Sequence, residues 1–235
     1  MNKQSTLYVI IYIIVLVTLV GTALAFTAIS LKPRQQANAD ADKMRQILAS
    51  VGLTPQADSI IPYYDKYIRE TFVVNAEGEK VADADAFQVN VAAQSKLAGD
   101  ARLLPVYVCE MPSAGEKYIL PLYGAGLWGP IWGYISIDSD GSTVYGAYFA
   151  HQGETPGLGA EIEKPAFSGQ FDGKKIFKDG AFMPVAVVKA GQHPQGGEDY
   201  VDGISGGTIT SKGVGAMLDN CLRPYEPFLE KIRNK

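Results

Sequence analysis

From Thr6 through Leu31 the chain carries no charged side chain. A helix needs about 20 consecutive apolar residues to cross a bilayer. Within lipid a helix satisfies its own backbone hydrogen bonds. The stretch therefore predicts one transmembrane anchor over 6–31 behind a short tail, 1–5. A cleaved signal peptide is the competing reading. Lys3 would be its basic start, Leu7 to Val20 its apolar centre and Ala23-Leu24-Ala25 its cleavage site. Phe26, Ala28, Ile29 and Leu31 extend the apolar run past that site and favour an uncleaved anchor. Lys3 lies before it and Lys32 and Arg34 after it, so charge leaves the orientation open. Pro33 is expected to end the helix.

The remaining roughly 200 residues have ordinary globular composition and suit one sizeable domain. Net charge is −4 with no basic tract, which argues against nucleic acid as a partner. Cys109 and Cys221 lie far apart in apolar segments and read as buried thiols rather than a disulfide. His151 and His193 are too few for a His-rich metal site, and no metal-ligand spacing occurs.

Residues 32–100 read as a linker and helical region, and 101–235 as the core with a C-terminal helix. Met44, Ile47, Leu48 and Val51 share one face of a helix over 38–51, with Gly52 placed to stop it. A second helix is expected over 56–69, a strand over 70–75 and a turn at 75–78. Strands are expected over 104–110, 117–123, 131–138 and 143–150, where Tyr, Ile, Val and Phe dominate, and Asp138-Ser139-Asp140-Gly141 marks a hairpin. Shorter strands are expected over 175–178 and 184–190. A helical pattern covers 211–233, broken or kinked at Pro224 and Pro227. The fold class is α+β: a mostly antiparallel sheet with flanking helices, behind one N-terminal transmembrane helix.

Three glycine-containing loops carry the chemical interest. Gly124 to Gly133 alternates glycines with Leu127, Trp128 and Trp132. It is either a turn between core strands or a wall against which a flat ring could lie. Glu154-Thr155-Pro156-Gly157-Leu158-Gly159 holds Leu158 out on a constrained loop. Asp202 to Ser211 packs glycines and hydroxyls before a helix, a pattern that is usually a plain turn but suits a bound phosphate. The residues alone leave Ser205, Thr208, Thr210 and Ser211 equivalent. His151 lacks a nucleophile motif, and nothing sets the separation of Glu154 and Glu161, so no catalytic residues are assigned.

In this order behind one anchor, these loops resemble the family of the C subunit of the sodium-translocating NADH:quinone reductase, and its sister, the G subunit of the Rnf electron-transfer complex. The resemblance covers nearly the whole chain. It rests on Lys32-Pro33-Arg34-Gln35-Gln36, Gly126-Leu127-Trp128, the 154–159 run and Ser205-Gly206-Gly207-Thr208. The Lys-Pro-x-Gln-Gln start favours the quinone-reductase family.

The resemblance implies an FMN-binding domain whose flavin is joined through its phosphate to a threonine. The family's motif places its aspartate at Asp202, its leading hydroxyl at Ser205, its glycine at Gly206 and the flavinylated residue at Thr208, followed by Thr210. Gly207 stands where alanine is usual. The resemblance supplies the 154–159 loop but not its contact atoms; Glu154, Thr155, Gly157, Leu158, Gly159 and Trp128 are taken as further cofactor-binding residues, with Trp132 expected near the flavin. The implied attachment uses a flavin transferase: the threonine hydroxyl attacks the pyrophosphate of FAD, FMN is transferred and AMP leaves. The implied partners are the B, D and E subunits of that reductase, with its A and F subunits in the assembly. The implied path takes electrons from an iron–sulfur centre between membrane subunits to a flavin on the B subunit. The implied location is a single-pass protein of the inner membrane with its soluble domain on the periplasmic side. An anchored extracytoplasmic binding module without a cofactor is the reading from another class.

Overall fold

The structure is a computed structural model that describes residues 6–234; the expected tail 1–5, with Lys3, lies outside them. The chain divides into two compact units, Met1–Lys43 and Met44–Lys235. In the first unit, helix α1 (Thr6–Ala49) begins. It is long and apolar enough to cross a membrane, and its apolar side chains, among them Leu7, Val17, Leu24 and Phe26, are exposed.

Pro33 does not end α1, which corrects the sequence reading: the helix expected over 38–51 is the continuation of the same helix. Proline removes one hydrogen bond, to the carbonyl four residues back, and helix interiors normally bend or break there at a cost of about 3 kcal/mol. Good helix formers on both sides (Ala28 to Leu31, then Gln35 to Ala39) carry α1 past the lost bond. Gly52 at φ +77° stops the helical path, with Leu53 N–H donating to Leu48 O at 3.0 Å.

The second unit is built on a five-stranded antiparallel sheet. After α2 (Ile60–Tyr67) the chain runs through β1 (Ile68–Val74) and the single turn α3 (Val91–Gln94). It then forms β2 (Leu104–Met111), β3 (Gly115–Ala125), β4 (Pro130–Asp138) and β5 (Val144–His151). The strands pair in sequence order, and the expected turn at Asp138–Gly141 joins β4 to β5. The expected helix over 56–69 ends at Tyr67, because Ile68 is buried and already pairs with Cys109.

Both faces of the sheet are covered, which is why its strands read as nearly continuous apolar runs. Successive side chains alternate between faces. Phe72, Val106, Leu120 and Ile135 pack with Val214, Leu218 and Leu229. Val73, Tyr107, Ile119 and Tyr134 pack on the other face with Ile47, Leu48, Val51 and Tyr64. Cys109 and Cys221 are both buried free thiols.

Beyond β5 come the short helix α4 (Pro165–Ser168), the hairpin β6 (Phe177–Lys178) and β7 (Ala181–Phe182), and β8 (Ala186–Val188), which pairs in parallel with β9 (Tyr200–Asp202). The last segment is α5 (Thr208–Leu222), then a 3₁₀ turn over Arg223–Tyr225, then α6 (Glu226–Arg233). The break falls at Pro224 and Pro227, as the sequence reading has it, but α5 begins three residues before the expected start at Ser211. Gly213 lets α5 press against the end of β3: a methyl there would collide with the carbonyl oxygen of Ala125. That close approach sets the first turn of α5 beside the β3–β4 loop.

Candidate functional site

The N-terminal turn of α5 is the centre of the site. Gly206 adopts φ +77°, a conformation that favours glycine. Gly207 is the N-cap and offers no side-chain cap. The first N–H groups of a helix have no intrahelical partner, so an uncapped turn of this kind is favourable for an anion.

The four hydroxyls left equivalent by the sequence separate by burial. Thr210 is 1% exposed and its hydroxyl donates to Glu154 Oε2 at 2.5 Å. Ser211 is 6% exposed, and its Oγ accepts the N–H of Ile204 at 2.8 Å. Ser205 and Thr208 are exposed. Both line a cavity of about 320 Å³ together with Val187, Lys189, Gln192, Ile204 and Lys212; Ser211 reaches its wall but is buried there.

Glu154 is 4% exposed and joins three segments. Its Oε1 accepts the N–H of Trp128 at 2.8 Å, while Oε2 takes the Thr210 hydroxyl. Burial alone would raise its pKa. The Thr210 hydroxyl and the Trp128 and Leu127 amides outweigh burial and hold the carboxyl below its usual range. The N–H of Glu154 donates to His151 Nδ1 at 3.1 Å, which commits that ring nitrogen as an acceptor. Gly126 and Gly159 leave the carboxylate its space: a methyl on either would collide with one of its two oxygens.

The loop after Glu154 is held by its own backbone. Thr155 O accepts the N–H groups of Leu158 and Ala160, and Glu161 accepts that of Gly157. Leu158 is thereby held over Gly206. Leu158, Leu127, Trp128 and Ile209 are all exposed; Trp128 is 69% so. These side chains stand on the three loops that Glu154 and Gly206 bring together.

The structure separates other residues from this group. Trp132 lies on the opposite sheet face from Ile131, with Nε1 donating to Gln46 at 3.0 Å, so the expectation that it borders the same site is corrected. Asp202 ends β9 and is exposed, and its backbone exchanges hydrogen bonds with the side chain of Gln170. Thr155 and Gly157 shape the 154–159 loop. Sequence reasoning missed Val187, on the three-residue strand β8, and Lys189 and Gln192, in the segment that follows it; all three line the cavity. Lys212 had a signal: four residues after Thr208, it shares a helix face with it once the helix starts at 208.

Over 88% of its length this chain is 34% identical to the C subunit of the Na(+)-translocating NADH-quinone reductase of Vibrio vulnificus, and it covers 88% of that protein. The chain belongs to this C subunit family. The Vibrio anguillarum relative is 34% identical over 98% of this chain and 95% of its own length. The crystal structure of the C subunit from Parabacteroides distasonis superposes with a TM-score of 0.79 at 53% identity, over 85% of this chain and 96% of that one. Shewanella oneidensis NqrC, 22% identical, shares the fold with a TM-score of 0.71 over 85% and 100% of the two chains. A family model described as an FMN-binding domain matches residues 126–223. That span contains the three loops of the resemblance, from Gly126 to Thr210. The resemblance drawn from the sequence is therefore borne out for family and fold.

Proposed function

We propose that this chain is the membrane-anchored flavoprotein subunit of a sodium-translocating NADH:quinone oxidoreductase, with FMN attached through its phosphate to Thr208. The observation that carries the attachment is the exposure of Thr208 on an uncapped helix turn, beside a cavity and inside the span matched by the FMN-binding family. Small-molecule sites are typically about 300–1,000 Å³ and mostly apolar, with a few polar groups that fix orientation. The cavity beside Thr208 fits that description. Bound FMN supplies the redox chemistry; the chain holds and orients it.

Thr208 Oγ1 is the nucleophile of attachment. It forms a bond to the phosphorus of the FMN half of FAD, the bond to AMP breaks, and the hydroxyl proton passes to a base of the flavin transferase. An exposed hydroxyl on a glycine-flanked turn is accessible to a second enzyme; Thr210 and Ser211, buried and bonded, are not. The resulting diester is an anion, favoured at a helix N-terminus and flanked by Lys189 and Lys212 on the cavity wall. Leu158, Leu127, Trp128 and Ile209 offer apolar surface to the ring.

In this reading α1 anchors the chain in the inner membrane and residues 44–235 stand on the periplasmic side. The B, D and E subunits, with the A and F subunits, complete the assembly. The chain receives electrons from an iron–sulfur centre and passes them to a flavin on the B subunit. Covalent attachment keeps the cofactor where no flavin pool would replace it.

Co-expression with a flavin transferase, followed by a denaturing gel under ultraviolet light, tests the attachment. A fluorescent band is expected from the wild type and is lost in Thr208→Ala. A dark wild-type band beside an active control overturns the tether. Fluorescence that survives Thr208→Ala moves it to Ser205, the other exposed hydroxyl.

A further inference from the structure

We infer that Glu154 is the positioning residue of this site: its carboxylate holds Thr210 inward and thereby turns Thr208 outward toward the cavity. The inference rests on attachment at Thr208 and adds the device that presents that hydroxyl. Helix residues advance about 100° each, so Thr208 and Thr210 point to nearly opposite sides of the first turn. With Thr210 Oγ1 bonded to Glu154 Oε2, the rotation of that turn about its axis is fixed. No side chain caps it, since the N-cap is Gly207.

The same carboxylate fixes the partner loop. Oε1 takes the N–H of Trp128, so the exposed Leu127 and Trp128 are set relative to Thr208 through one side chain. Among the described residues, Glu154 forms no ion pair with a lysine or arginine; two amides and a hydroxyl hold it. Such bonds depend on geometry more than a diffuse ion pair does. The missing side chains at Gly126 and Gly159 are what let the carboxylate sit between these segments.

Glutamine has one acceptor oxygen and a donating NH₂ group where Glu154 has two acceptor oxygens. In Glu154→Gln the amide oxygen keeps the Trp128 N–H while the NH₂ group donates to Thr210 Oγ1, so both links survive as weaker, neutral bonds. Glu154→Ala removes both links at once.

The full-length chain, produced with an active flavin transferase, tests the inference. Initial flavinylation rates are measured for wild type, Glu154→Ala, Thr210→Val and Thr210→Ser, together with the visible circular dichroism of the attached flavin and the melting temperature. Glu154→Ala and Thr210→Val are expected to flavinylate at least tenfold more slowly, with the flavin dichroism reduced in the fraction that is modified. Thr210→Ser, which keeps the hydroxyl, is expected to restore most of the rate and dichroism lost in Thr210→Val. A general loss of packing would not be rescued by that one oxygen. Wild-type rates and dichroism in both Glu154→Ala and Thr210→Val overturn the inference while leaving the tether intact. Should Glu154→Ala fail to fold, equal behaviour of the valine and serine variants overturns it. A wild type that takes no flavin overturns the Thr208 tether and this inference with it.

Discussion

Leu158 and Gly206 approach so closely that a methyl on Gly206 would stand 2.6 Å from Leu158 Cδ2. Gly206 also holds φ +77°. A side chain here meets two penalties: a left-handed backbone and a collision with the residue that covers the turn. Leu158 can swing away, because the colliding atom is the far end of a flexible side chain. Gly206→Ala should therefore cost about 1–3 kcal/mol, and the flavinylation rate should fall as Leu158 is displaced. Differential scanning calorimetry checks the first expectation and the fluorescent gel the second. Unchanged values in both would show that the contact has no consequence.

Gly159→Ala tests a different contact. Its backbone is not strained, but its methyl would collide with Glu154 Oε2 and stand 2.5 Å from Thr210 Oγ1. The carboxylate has to leave Thr210, and a buried charged group then loses a partner. Removing one partner of a buried hydrogen bond costs about 1–3 kcal/mol, more when the group is charged. We expect Gly159→Ala to be the more destabilising of the two glycine substitutions. A melting temperature at or above that of Gly206→Ala would contradict this.

Acid stability follows from Glu154. Its pKa is lowered on folding, from a usual value of 4.5. A lowered carboxyl pKa gives stability that is fully present above the unfolded value and lost as pH falls through the folded value. Between about pH 7 and 5 this contribution is constant; it declines below about 4.5. Asp140 behaves in the same direction: bonds from Thr143 and Ser142 and the charge of Lys175 outweigh its burial. Glu154→Gln should lower the melting temperature at neutral pH and flatten its fall in acid. Asp140→Asn should flatten the same limb without affecting flavin attachment. Melting curves taken from about pH 3 to 7 check both expectations, and the fluorescent gel separates the two carboxyls.

The two thiols should be inert in the folded protein. Burial pushes Cys109 up to about 11 even though the charge of Lys117 opposes the shift. Burial also raises Cys221, against the Tyr123 backbone bond and the charge of Arg102. At about pH 8 both are thiols, and the thiolate is the reactive form. Iodoacetamide should label neither cysteine in native protein and both in guanidinium, and reductant should leave the melting temperature unchanged.

These residues also show what the sequence carries. Runs dominated by Tyr, Ile, Val and Phe made the sheet legible, because strands covered on both faces, such as Phe72, Val73 and Val74, are apolar throughout. The break at Pro224 was legible because proline acts locally. The parallel pair of β8 and β9, three residues each, was not, since its cause is long-range pairing rather than pattern. Helix α1 continued past Pro33 because one missing hydrogen bond was too small a penalty beside its good helix-forming neighbours. In the site, the motif marked the loop but not the face. The sequence reading names Glu154 as a cofactor-binding candidate, and the fold shows it as the buried partner of Thr210. Burial then accomplished what residue type could not, dividing four similar hydroxyls into two buried and two exposed.

Gly207 is the position where the motif departs from its family, and its geometry bears on whether that matters. Its φ of −101° suits alanine. A methyl there would stand 3.1 Å from Ile204 Cβ and 3.2 Å from the Gly159 amide nitrogen, so its neighbours would have to yield by a few tenths of an ångström. Replacing glycine by alanine at a compatible backbone stabilises by about 0.4–1 kcal/mol through the unfolded chain. That gain and the crowding nearly cancel, and the melting temperature of Gly207→Ala should stay within about 3 °C of wild type, the shift expected for roughly 1 kcal/mol in a domain of this size. Flavinylation should proceed within twofold of the wild-type rate, because the outward direction of Thr208 is set by Thr210 and Glu154 and not by the N-cap. A rise of tenfold or more in Gly207→Ala would mean that the transferase reads the methyl itself, and that Gly207 slows attachment at Thr208.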